Sequence, residues 1–167
     1  MNIALVNYDE TWPSQFKKER DRLQLLIAPW MEGDIEHVGS TSVPGMIAKP
    51  IIDIMVGVNN LKDARGAIDV LSNNGYCYYP YKPEQMHWFC RPSPEFRTHH
   101  VHLIPYQSPL WFERINFRDI LRTNAKVAGQ YAHLKQTLAQ THRHNREIYT
   151  QQKWPFIEKV LASVSSS

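Results

Sequence analysis

Two stretches of this sequence would hold phosphate if the fold brought them together. His37-Val38-Gly39-Ser40-Thr41-Ser42-Val43-Pro44-Gly45 reads as a strand that ends at Gly39-Ser40 and feeds a short helix. The N–H groups freed at such a bend, with the hydroxyls of Ser40, Thr41 and Ser42, are the donors that phosphate oxygens need, and glycine lets the ligand approach the backbone. Lys49 follows. Asp53 then interrupts Pro50-Ile51-Ile52-Asp53-Ile54-Met55-Val56-Gly57-Val58, the most apolar strand in the chain. A carboxylate is seldom buried without a partner, and here it could hold Mg²⁺ or another divalent metal that bridges phosphates. The plain alternative is a turn followed by a hydrogen-bonded core aspartate. A Walker loop is excluded, because Met46 and Ile47 follow Gly45 where lysine and a hydroxyl are required. The glycine–serine spacing also rules out a hydrolase nucleophile elbow.

His99-His100-Val101-His102-Leu103-Ile104 is the second cluster. On a strand, His100 and His102 share one face, where they could complete a metal site with Asp53 or move protons. The alternative is a pair of partly exposed strand residues. Further on, Arg114, Arg118, Arg122 and Lys126 recur every four residues, and Arg146, Tyr149 and Lys153 share a helical face. Such cations would neutralise phosphate charge, or else form an ordinary solvated helix surface.

Strands are expected at 35–39, 50–58, 76–80, 86–91 and 99–105. Helices are expected from Thr11, as N-cap, to Pro29, and at 61–74, 109–122, 125–141 and 145–163, with Pro155 bending or restarting the last. The serines at 163–167 read as a frayed tail. With 167 residues, 43% of them hydrophobic and 21% charged, the chain suits one domain over 1–167 and is no disordered polymer. No apolar run approaches the roughly 18–20 residues that cross a bilayer, and the N-terminus has no leader-like pattern, so a cytoplasmic protein is expected. Residues 1–83 carry a net charge of −2 and residues 84–167 a net charge of +5. That balance suits a nucleotide or other phosphate-bearing small molecule and is too sparse for long nucleic acid. Cys77 and Cys90 read as inert interior thiols, and the five tryptophans as core anchors.

Tyr8-Asp9-Glu10-Thr11-Trp12-Pro13, the Gly39-to-Asp53 block, His100-Val101-His102-Leu103, Phe117-Arg118-Asp119, Leu134-Lys135 and Tyr149-Thr150 with Lys153 together resemble the GrpB-like (glutamate-rich protein B) family. The resemblance implies an α+β nucleotidyltransferase-like fold, a small mixed β-sheet flanked by helices with a helical C-terminal half. Active members of that superfamily carry two acids at spacing two after the Gly-Ser pair. Asp53 matches the first, whereas Met55 stands at the second. His100 and His102 stand where a later acid is expected, as does Asn145 near the C-terminus. Two readings follow. In one, Gly39, Ser40, Thr41, Ser42, Lys49, Arg118 and Lys153 hold a nucleoside triphosphate, Asp53, His100 and His102 hold a divalent metal, and Asp53 and His102 act in nucleotidyl transfer to a small acceptor. In the other, the chain is a catalytically inactive module that binds a nucleotide or phosphate ligand.

Overall fold

The computed structural model describes residues 3–165. Its strands are β1 (Glu36–Val38), β2 (Ile52–Val58), β3 (Cys77–Tyr79), β4 (His87–Pro92) and β5 (Arg97–Pro105). Its helices are α1 (Trp12–Ile27), α2 (Arg65–Ser72), α3 (Pro109–Thr123), α4 (Ala125–Thr141) and α5 (Arg146–Ser165). The strands form one mixed sheet in the order β1-β2-β5-β4-β3, parallel only between β2 and β5. That single parallel pair needs a long crossover, which α2, β3 and β4 supply.

β2 is apolar at nearly every position because both of its faces are covered. Ile52, Ile54, Val56 and Val58 pack with Val101, Leu103 and Phe89 against α1 and α2, through Leu23, Ile27, Ala67 and Leu71. On the opposite face Met55 joins Val38, Trp88, Cys90 and Ile104, packed by Leu110, Trp111 and Ile115 of α3. A further apolar cluster ties the 40s loop (Val43, Met46) to Leu121 and Tyr131 on the C-terminal helices. The α3–α5 layer therefore sits over the same sheet face that carries Asp53.

Several local expectations change. Thr11 occupies the N-cap position of α1 without a side-chain cap bond. Its N–H and hydroxyl instead donate to Asp9 Oδ1 at 2.8 and 2.7 Å. α5 runs as one helix through Pro155 and on to Ser165, so there is no restart, and the expected frayed tail is helical through that residue. Residues 166–167 lie outside the described residues. Cys90 is buried, but Cys77 is only half-buried on the edge strand. Among the described residues, no helix is long and apolar enough to cross a membrane.

The α1 face contains one ionic cluster. Glu19 is buried among core side chains and accepts from Arg91 Nη1 at 2.7 and 3.0 Å and from the Tyr76 hydroxyl. Burial works against its ionisation, but the bonds from Tyr76 and Arg91 prevail and its carboxyl is held below the usual range. Arg91→Ala strands that carboxylate, so urea denaturation at pH 7 should show a loss of about 3 kcal/mol. The folded pKa of Glu19 is depressed, so the pair stabilises above the unfolded carboxylate range and its contribution is lost as pH falls. The difference between wild type and variant should therefore narrow in acid.

Candidate functional site

Asp53 projects from β2 toward α3–α5, and the register of the parallel pair decides what it meets. Asp53 lies opposite His100 and Met55 opposite His102, so both imidazoles reach the carboxylate from β5. His100 Nδ1 is 3.2 Å and His102 Nε2 3.4 Å from the same oxygen, Oδ1. Burial opposes charge on Asp53, but these contacts prevail and hold its carboxyl well below the ordinary range. Burial takes His102 down to about 4, against the pull of Asp53, so this imidazole is neutral at pH 7.

Gly39 closes on the same acid from the loop. Its φ is +74°, a left-handed conformation that favours glycine. A side chain there would collide with Asp53 Oδ2 and lie 3.0 Å from Asp53 Cβ. The bend then enters a single 3₁₀ turn at Ser40–Ser42. Ser42 Oγ donates to Gly39 O at 2.5 Å, and Thr41 Oγ1 lies 2.9 Å from His37 Nε2. These bonds make the loop rigid, and Ser40 is left facing the helical layer.

Ser40, Thr41, Lys49, Asp53, His100, His102 and Lys153 all line one cavity of about 1050 Å³ between the sheet and the C-terminal helices. Gly39 and Ser42 lie behind this surface and shape the loop. Arg118 is not part of the lining. It donates to Glu36 Oε2 at 2.6 Å and to the His37 carbonyl at 3.2 Å, and so braces β1. Arg114, one turn earlier on α3, faces the cavity.

The site-residue set read from sequence left out Lys135 and Arg97. Lys135 is 1% exposed and reaches Ser40 Oγ at 2.9 Å and the Ile47 carbonyl. Its signal was present: Tyr131, Lys135 and Leu138 share the buried face of α4, and a lysine on a core-facing stripe invites a functional explanation. With Lys82, Arg97, Arg114 and Arg146, the cavity has seven cationic side chains against Asp53 and Glu147. Burial first, then neighbouring cations, pulls Lys49 and Lys135 down to about 7. Burial, resisted by Asp53 and helped by Arg114, brings Lys153 down to about 8. Tyr79, Tyr81, Trp88 and Trp154 also line the cleft. Trp154, read as a core anchor, is 44% exposed there.

The donor set does not fit a pair of magnesium ions. Mg²⁺ requires oxygen ligands in near-octahedral geometry, and two-ion phosphoryl chemistry places both ions among them. Here one carboxylate faces two imidazoles, and Met55 is fully buried where a second acid would stand. Glu36 is engaged by Arg118. Asn145 caps α5, its Oδ1 accepting from the Ile148 N–H at 3.0 Å.

Comparison with known proteins agrees with this architecture. The model of the family described as "GrpB protein" matches residues 2–163. The chain is 35% identical over 164 residues to the glutamate-rich protein GrpB of Alkalihalophilus pseudofirmus, covering 95% of this chain and 94% of that one. The crystal structure of the conserved protein GrpB from Enterococcus faecalis superposes with a TM-score of 0.84 at 28% identity, over 96% of this chain and 99% of that one. A structure of the Cid1 poly(U) polymerase described as bound to Mg 3′-dATP gives a TM-score of 0.52 at 14% identity, over 80% of this chain and 41% of that one. This is likeness of fold, and the fold is that of the nucleotidyltransferases.

Gly39→Ala tests the close approach of the loop to the acid. It should cost about 1–3 kcal/mol in urea denaturation. Gly45→Ala, also at positive φ (+81°) but with nothing within 4 Å, should cost clearly less. Equal losses would show that the contact with Asp53 is not tight.

Proposed function

The chain belongs to the GrpB protein family, and on that premise we propose that it binds a nucleoside triphosphate, or another small molecule bearing several phosphates, in the cleft between sheet and C-terminal helices. The observation that carries this reading is the charge of the cavity, seven cations against two carboxylates, with three of its lysines held at about 7 to 8. Like charges crowded out of water raise the free energy of the empty protein, and a polyanion reverses that cost. Ser40, Lys135, Lys49 and Lys153 hold the phosphate oxygens, with Thr41 beside them. Gly39, Ser42 and Arg118 keep the loop and β1 in place.

A second reading, nucleotidyl transfer to a small acceptor, rests on the convergence of Asp53, His100 and His102. An acceptor hydroxyl bonds to the α-phosphorus, the α–β P–O bond breaks, pyrophosphate leaves, and the hydroxyl proton passes to the Asp53–His102 pair. A divalent cation at Asp53, His100 and His102 belongs to this reading. Asp53 and His102 are both weak bases as they stand, which is why ligand binding is the better-supported function.

Calorimetric titration with ATP and with tripolyphosphate should show one site. Lys135→Met and Lys153→Met should each weaken binding about tenfold or more, the size expected for a lost charge-assisted hydrogen bond. No binding of either ligand at millimolar concentration would end the proposal.

The pH dependence has a fixed sign. A bound polyanion favours the charged lysines, so binding takes up protons and affinity should fall as pH rises from 7 to 9. In the free protein these lysines sit below their unfolded value of 10.5. Their contribution therefore makes the empty fold more stable as pH rises between about 7 and 10. Opposite slopes for ligand affinity and apo stability are expected, measured by calorimetry and urea denaturation across that range.

A further inference from the structure

The donor set at Asp53 differs in chemical kind from that of a two-magnesium centre, and we infer that Asp53, His100 and His102 form a single-ion site for an imidazole-preferring divalent transition metal of the Zn²⁺, Co²⁺ and Fe²⁺ class. This deepens the catalytic reading above and rests on it for any role in turnover, but the site itself is argued from geometry. The three donors lie on two hydrogen-bonded strands in register, so the backbone holds them together more rigidly than a loop would. One carboxylate oxygen lies 3.2 and 3.4 Å from the two imidazole nitrogens. Metal–ligand bonds of about 2.0–2.1 Å at tetrahedral angles put neighbouring donors about 3.3 Å apart. The three donor atoms lie within 4.8 Å of one another. As hydrogen bonds these contacts are long, the second beyond the usual N–H···O range.

Imidazole nitrogen suits zinc and the later transition ions, whereas magnesium favours all-oxygen surroundings. Met55 closes the position from which a second carboxylate would recruit a second ion. The outer nitrogens, His100 Nε2 and His102 Nδ1, are buried without a hydrogen-bond partner. Metal-bound histidines usually donate that N–H to an acceptor, and loss of such partners costs about 10–100-fold in affinity. A metal here would therefore be held more weakly than a structural zinc. Arg114 and Lys153 further oppose a cation here, and an anionic ligand in the cleft relieves that opposition, so metal and polyanion bind more tightly together than apart.

The test uses the full chain stripped of metal, titrated calorimetrically with Zn²⁺, Co²⁺ and Mg²⁺, with the visible absorption of Co²⁺ as a second readout. The expected result is one Zn²⁺ per chain, bound at least a hundredfold more tightly than Mg²⁺, and a Co²⁺ spectrum of low coordination number. H100A and H102A should each reduce zinc affinity at least tenfold. H100Q, with thermal melts of every variant, separates ligand loss from unfolding. The double variant H100A/H102A keeps His133, His142 and His144, so zinc binding that survives in it is surface binding and overturns the inference. Magnesium bound as tightly as zinc, or two ions per chain, overturns it as well. Tripolyphosphate binding to the metal-free chain is measured in parallel: if it persists while zinc selectivity is lost, the metal site alone fails and the phosphate cleft stands.

Discussion

A single carboxylate on a buried strand organises this molecule. Asp53 is half-buried on β2 at the wall of the cavity, and a negative charge partly withdrawn from water is costly unless it is compensated. Its partners arrive from three directions. Two imidazoles come from β5 through the parallel register, the Gly39 bend presses on the carboxylate from the β1 side, and long-range positive charge comes from Arg114 and Lys153 on the helical layer. The loop conformation, the histidine spacing and the cationic faces of α3 and α5 are thus parts of one electrostatic solution.

That solution overshoots. Asp53 and Glu147 do not neutralise seven basic side chains, so the cleft carries excess positive charge that burial makes more costly, and the proposed polyanionic ligand would complete the compensation. Lys135 shows the tension clearly: a fully buried amine satisfied by a serine hydroxyl and a main-chain carbonyl, neither of them charged. The Glu19 cluster on the α1 face shows the opposite balance. There a buried glutamate is met by an arginine and a tyrosine hydroxyl, and the charge is closed off. Both clusters lie on the same sheet. Of the two, the unbalanced one lines the cavity between sheet and C-terminal helices, and this asymmetry supports the proposed function.

The apolar run of β2 was legible because a strand covered on both faces is apolar throughout, which makes Asp53 stand out, and the shared face of His100 and His102 because a strand places every second residue on one side. The helices could be read for the same reason, with a period of 3.6. Which cations enter the cleft could not be read this way. Arg114 and Arg118 are one turn apart on α3 and similar in sequence context. A single turn of helix moves the second to the rim, where Glu36 takes it. Lys135 was visible as a lysine on an apolar stripe, but its partner Ser40 lies 95 positions away. Asn145 stands at a position where an acid was expected, and it caps α5.

The amino-acid order by itself determined the elements, the strand that carries the acid, the bend before it and the excess of positive charge in the second half, because each is set by local periodicity, turn chemistry or composition. Tertiary structure alone decided the rest. It set the register that stacks Asp53 on His100, the packing of α4 and α5 that brings Lys135 and Lys153 to the cleft beside the bend, and the pairing of Glu36 with Arg118. The physical reason is range. Backbone preferences act over a few residues, whereas charge compensation and desolvation depend on which side chains the folded core brings within a few ångströms.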